Sequence, residues 1–216
     1  MTRLFITHHL GLGDHLLCNG IYRSKAAEYD KVYLVVKSHY RGEMKRLLGD
    51  LDNVRILSFS KYVADRMQVA LRSIAGLMRL DILSLGFFGE DFFQVENQLR
   101  LDEDFYHQAK IPLDKRWSKF SFVRDPDAEH KVFLELGCDG EPYIFLHEDP
   151  SRGFLIDRSR ISSDLKIVTP NAKTNFFNYA KVLENASELH VMESSFAALI
   201  EGMNLGQPKY AHRYAR

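Results

Sequence analysis

The run from Leu4 to Asp14, Leu-Phe-Ile-Thr-His-His-Leu-Gly-Leu-Gly-Asp, constrains the fold more than any other stretch. A short apolar run that meets a glycine turn and then an amphipathic run reads as strand, tight turn and helix. The strand is expected over residues 3–7. The helix is expected to open at or just after Asp14 and to run to about residue 28, with Leu16, Leu17, Ile21 and Tyr22 on its apolar face. A strand with no polar alternation is buried on both sides, and its direct passage into a helix opens a βαβ unit. The chain is therefore committed to a parallel sheet.

The rest of the sequence continues that alternation. Residues 31–37 (KVYLVVK) form the clearest strand, 41–48 a short basic helix stopped by Gly49, and 54–59 a third strand. A helix is expected over 62–78 with Val63, Met67, Ala70, Leu71 and Ile74 inward, then a strand over 81–85. Short helices follow at 91–100 and 104–110, an edge or linker strand at 117–123, and a helix at about 126–136. Turn formers from Gly137 to Pro142 then reset the composition. Strands at 143–147, 165–169, 188–192 and 209–212 alternate with helices at 175–185 and 194–204. The expected fold is α/β: two Rossmann-like parallel-sheet halves, residues 1–125 and 126–216, facing each other across a cleft.

Charge excludes some partners. Lys plus Arg and Asp plus Glu number 29 each among 216 residues, so no global field favours nucleic acid or an anionic membrane. An anionic ligand must be held locally. Cys18 and Cys138 show no ligand spacing and read as reduced core thiols, which points to a cytoplasmic protein. No apolar run approaches the roughly 20 residues that span a bilayer, and Thr7-His8-His9 interrupts any signal-like N-terminal run. A soluble, unprocessed chain is expected.

Three loops at strand ends carry candidate chemistry. Asp14 reads either as a helix N-cap or as a carboxylate base at the mouth of a cleft. As a base it suits a hydroxyl that loses its proton late. His8, His9 and His15 flank it. Adjacent strand residues point to opposite faces, and no HExxH or Cys/His framework is present, so a metal site is not expected. In the second loop, His147 to Gly153, Arg152 offers a donor fork for phosphate or pairs with Glu148 or Asp149. In the third, Glu193-Ser194-Ser195, the serines cap a helix or present hydroxyls and N–H groups to an anion, and Glu193 suits a ribose diol. Thr169 ends a further strand of the same half. The pairs Asp50/Asp52, Asp102/Asp104 and Asp125/Asp127 read as caps and surface acids, and Arg41, Lys45 and Arg46 as a solvated helix face.

Together these loops resemble the GT-B glycosyltransferases, most nearly the heptosyltransferase-like group. Gly11, Gly13 and Asp14 match that family's GxGD loop, whose Asp is the proposed base, and Glu193-Ser194-Ser195 stands where the family has Asp-Thr-Gly. Ser151 and Arg152 fall where it carries hydroxyl or basic residues near the diphosphate. The resemblance implies transfer of a sugar from a nucleotide-sugar donor to a carbohydrate or lipid-linked acceptor, with no metal or other cofactor. Asp14 would be catalytic and His8, Gly11, Gly13 and His15 acceptor-side. Ser151, Arg152, Thr169, Glu193, Ser194 and Ser195 would be donor-binding. The alternative is a non-catalytic nucleotide- or glycan-binding module derived from such an enzyme.

Overall fold

The computed structural model describes residues 1–8, 11–86, 101–161, 164–171 and 173–213. The chain divides into two units, Met1–Val123 and Arg124–Arg216.

In the first unit β1 (Arg3–Thr7) pairs in parallel with β2 (Lys31–Lys37) and with β4 (Asp81–Ser84), and β2 pairs with β3 (Val54–Phe59). The order is β3-β2-β1-β4. The two central strands are the ones with unbroken apolar runs, and Leu4, Phe5, Ile6, Leu34, Val35 and Val36 are all buried. Helices α1 (Leu12–Leu17), α2 (Asn19–Glu28) and α3 (Arg41–Leu48) belong to the two crossovers that step from β1 to β3. Helix α4 (Ala64–Leu77) belongs to the crossover that returns past β1 to β4. Right-handed crossovers put α4 on the opposite face from the others. There Ala64 and Ala75 approach Phe5 and Val35 closely, with Leu57, Leu71 and Leu80 around them.

Four sequence expectations change in this unit. The first helix opens at Leu12, not at Asp14, and breaks at Cys18, where the backbone (φ −82, ψ 0) separates α1 from α2. The face of α4 turned to the sheet is Ala64, Gln68, Leu71 and Ala75, whereas Val63, Ala70 and Ile74, expected inward, are exposed. A helix with apolar residues all round leaves its rotation to the small residues that permit close approach. The expected helix at 91–100 lies outside the described residues, and α5 (Leu101–Ala109) starts three residues before the helix expected at 104. Residues 117–123 are no strand. Helix α6 (Lys115–Ser118) is followed by an extended stretch held by the Asn19 side chain. Asn19 Oδ1 accepts from Ser121 N–H (3.1 Å) and its Nδ2 donates to Ser121 C=O (3.2 Å), while Val123 N–H donates to Arg46 C=O (2.7 Å). The aromatic alternation that mimics a strand is Trp117, Phe120 and Phe122 packing edge to face in sequence.

The second unit opens with α7 (Pro126–Glu135), capped by Asp125, whose side chain accepts from Ala128 N–H at 3.2 Å. Arg124 pairs with Glu129 of α7 and with Glu184 of α8 (Ala180–Asn185), which follows a 3₁₀ turn at Phe176–Tyr179. The strands are β5 (Tyr143–His147), β6 (Lys166–Val168), β7 (Glu188–Val191) and β8 (Lys209–Ala211), all parallel in the order β6-β5-β7-β8. Helix α9 (Ser195–Gly202) joins β7 to β8. Both units are thus Rossmann-like α/β folds, as the alternation predicts.

Candidate functional site

In a parallel sheet, ligands collect at the carboxyl edge where the strand order reverses. That point lies between β1 and β4 in the first unit and between β5 and β7 in the second.

At the first, Thr7 Oγ1 donates to Ser84 Oγ (3.3 Å) across the reversal. Gln68 of α4 clamps the next residue: its Oε1 accepts from His8 N–H and its Nε2 donates to His8 C=O, both at 3.0 Å. A side-chain amide here completes the hydrogen bonding that a neighbouring strand would supply. His9 and Leu10 lie outside the described residues. Gly11 is the N-cap residue and Asp14 sits in the first turn of α1, so Asp14 is not the cap residue. A Cβ on Gly11 would lie 2.6 Å from Asp14 Oδ2, whereas one on Gly13 would meet nothing within 4 Å. The Asp14 carboxylate therefore folds back over the Gly11 α-carbon, and Gly13 borders open space.

His8 and His15 do not line an open surface. Both are buried, with ring centroids 4.1 Å apart edge to face, and His15 Nδ1 lies 3.2 Å from the Tyr22 hydroxyl. Burial pushes His15 well below the ordinary histidine value, and His8 and Lys37 push it further the same way. It is a neutral core imidazole beneath the glycine loop. Cys18 is buried beside it with its thiol pushed up by burial, as an inert core thiol should be.

At the second reversal, β5 ends at His147 and β7 runs into Met192, Glu193 and Ser194. Ser194 holds the N-cap position of α9 with extended backbone, yet its hydroxyl makes no bond to the helix. It lies 3.1 Å from His147 Nδ1, so one hydrogen bond spans the gap between the two strand ends. The His147 ring packs at a tilt against Phe196, 4.6 Å between centroids, and burial lowers its pKa to about 4. The first-turn N–H groups of α9 have no intrahelical acceptor and no serine cap. Ser195 is the first helical residue, Glu193 is exposed, and Thr169 is exposed directly after β6.

No protein-family model matches this sequence, and no curated protein matches it. Among solved structures, the glycosyl transferase family 9 protein of Veillonella parvula DSM 2008 superimposes with a TM-score of 0.60 at 12% identity, covering 97% of this chain and 80% of that one. The iron-containing dodecameric glycosyltransferase TibC of enterotoxigenic E. coli H10407 gives 0.54 at 12% identity, over 96% of this chain and 57% of that one. E. coli heptosyltransferase WaaC with ADP-2-deoxy-2-fluoro heptose gives 0.46 at 12%, over 99% and 93%. The fold is that of the GT-B glycosyltransferases.

The remaining loop is tied to itself. Asp149 accepts from Ser151 Oγ and from Arg152 Nε, each at 2.6 Å, closing the 3₁₀ turn Pro150–Arg152, and Gly153 (φ 78) lets the chain leave it. Those bonds, Ser151 first, hold the Asp149 carboxyl below the usual range. Arg152 lies exposed over the Phe154 ring at 5.0 Å. Glu148 turns the other way and accepts from Ile156 N–H (2.8 Å) and Arg158 Nη2 (2.6 Å). Ser151, Arg152, Thr169, Glu193, Ser194 and Ser195 thus share the carboxyl edge of one sheet, on the loops after β5, β6 and β7.

Two residues of these edges were not singled out in the sequence. Gln68 is the one polar residue on the sheet-facing side of its helix, with Ala64, Leu71 and Ala75, and only that placement marks it out. His147 had only its place at a strand end. Of the aspartate pairs, Asp50 binds Arg23 (2.7 Å) and Asp125 caps α7, whereas Asp102 and Asp104 are buried and not surface acids: Asp102 pairs with Arg116 and Asp104 accepts from Gln108. Among the described residues no three His, Cys, Asp or Glu side chains converge as a metal site.

Proposed function

We propose that this chain is a metal-independent glycosyltransferase that moves a sugar from a nucleoside-diphosphate sugar to a hydroxyl of a carbohydrate or lipid-linked acceptor. The acceptor belongs to the carboxyl edge of the first unit, around Gly11, Gly13 and Asp14, with the buried His8 and His15 supporting that loop. The donor belongs to the carboxyl edge of the second.

In the step itself the acceptor oxygen bonds to the anomeric carbon while the bond from that carbon to the diphosphate oxygen breaks. The acceptor proton passes to the Asp14 carboxylate, and the bonding pair leaves with the nucleoside diphosphate. Negative charge grows on the departing diphosphate, where the uncapped N–H groups of α9, the hydroxyls of Ser194, Ser195, Ser151 and Thr169, and the Arg152 guanidinium offset it. Glu193 accepts from the ribose diol.

The observation that carries the reading is the His147–Ser194 hydrogen bond at 3.1 Å, which draws the cap hydroxyl away from α9. A serine that served only the helix would bond to its first-turn N–H groups.

A screen of nucleoside diphosphates and nucleotide sugars by thermal shift tests it. Ligand at a hundredfold its Kd stabilises by about 2.7 kcal/mol, a readable rise in Tm. Glu193→Ala is expected to abolish that rise. A panel with no shift, or a shift unchanged in Glu193→Ala, removes the donor site. The engagement of Ser151 and Arg152 by Asp149 favours a second reading, a binding module without turnover. That module binds nucleotide but releases no product.

A further inference from the structure

Helix α4 carries more apolar surface than the sheet uses. Its inner face, Ala64, Gln68, Leu71 and Ala75, is small and narrow. On the outside, Leu77 is 86% exposed, Val69 66% and Met78 59%, with Val63 and Ile74 also exposed, in line with Leu77, and Tyr62 exposed just before the helix. At helical spacing Val63, Ala70, Ile74 and Leu77 fall on one stripe, so these are not scattered single residues.

Charge on the same surface is one-sided. Between residues 61 and 79, Lys61, Arg66, Arg72 and Arg79 stand against a single carboxylate, Asp65, in a chain whose charges balance overall. All four cations and Asp65 are exposed. Among the described residues none of the four forms an ion pair. Lys61 instead lies 4.9 Å over the Tyr62 ring.

We propose that the outer face of α4 docks this chain on an anionic lipid bilayer. A helix lying in the interface places Leu77, Ile74, Val69 and Met78 at the acyl boundary while the arginines and Lys61 meet the headgroups. A second copy is the poorer occupant, because a two-fold contact through this face would bring the same cations against one another. The inference stands on exposure and charge alone and does not require the glycosyltransferase reading.

Sedimentation of the full chain with large unilamellar vesicles tests it. The chain is expected to pellet with phosphatidylcholine vesicles containing phosphatidylglycerol, to stay in solution with phosphatidylcholine alone, and to be released by salt. Arg72→Gln is expected to weaken partition about fivefold and Leu77→Gln about tenfold. Both side chains are exposed, so circular dichroism should stay as in the wild type. Nucleoside-diphosphate binding by the wild type, measured alongside, keeps the two readings separate: vesicle binding without nucleotide binding overturns the donor site alone, and nucleotide binding without vesicle binding overturns the docking face alone. No pelleting, equal pelleting on neutral vesicles, or pelleting unchanged by both substitutions overturns the proposal. So does a dimer in light scattering that Leu77→Gln dissolves, which assigns the face to a second copy.

Discussion

Gly11 leaves room for a carboxylate: the Cβ of any other residue would stand 2.6 Å from Asp14 Oδ2. The intruded atom is the far end of a flexible side chain, so Gly11→Ala is expected to change stability by less than about 1 kcal/mol while turning Asp14 away. If Asp14 takes the acceptor proton, turnover falls roughly a hundredfold, since a displacement of about 1 Å in a reacting group is enough. Gly13→Ala is the contrast in stability. Its Cβ meets nothing within 4 Å and its position is helical, so it should stabilise the protein by about 0.5–1 kcal/mol. Denaturant melts and turnover of the two variants check both statements. The two glycines look alike in the sequence, and only the way Asp14 folds back distinguishes them.

At the scale of elements, the Gln68 amide is what ties α4 to the end of β1. Gln68→Ala would leave the N–H and C=O of His8 without it in a buried setting. A loss of about 2–4 kcal/mol is expected in urea unfolding, against less than about 1 kcal/mol for Ser73→Ala on the exposed side. Close approach matters as much between α2 and α6, where a Cβ on Gly20 would lie 2.2 Å from the Lys115 carbonyl oxygen. The strands were legible in the sequence because buried parallel strands such as 31–37 are continuous apolar runs. The facing residues of α4 were not, because apolar side chains surround that helix and only contact with the sheet selects Ala64 and Ala75. Nor was the stretch 117–123, whose partners are the Asn19 side chain and a helix carbonyl 102 and 77 residues away in sequence rather than a ladder. The site loops were legible as strand ends with polar residues. The turn of the Ser194 hydroxyl toward His147 depends on which strands become neighbours, and no local pattern announces it.

Across the whole molecule, each unit keeps neutral imidazoles inside. Burial is the largest cause for His15 in the first and for His147 and His212 in the second, and His190 and Arg160 add to the lowering at His212. The unfolded chain binds protons with the ordinary value near 6.5, while the folded chain resists them. The stability these histidines contribute is therefore present above about pH 6.5 and is lost as pH falls toward the folded values, about 4 for His147. Denaturant midpoints should fall between pH 7.5 and 4.5, and less so in His147→Gln. A midpoint flat across that range contradicts the burial of these rings.

In the proposed reaction the two sheet edges have different tasks, proton removal at one and diphosphate binding at the other. Asp14→Asn separates them most directly, by measuring release of nucleoside diphosphate from a nucleotide sugar alongside affinity for the nucleoside diphosphate itself. The expected result is turnover lowered by about a hundredfold or more with nucleotide affinity unchanged. Turnover in Asp14→Asn equal to that of the wild type would contradict the assignment of Asp14 as the base and with it the division of labour between the two edges.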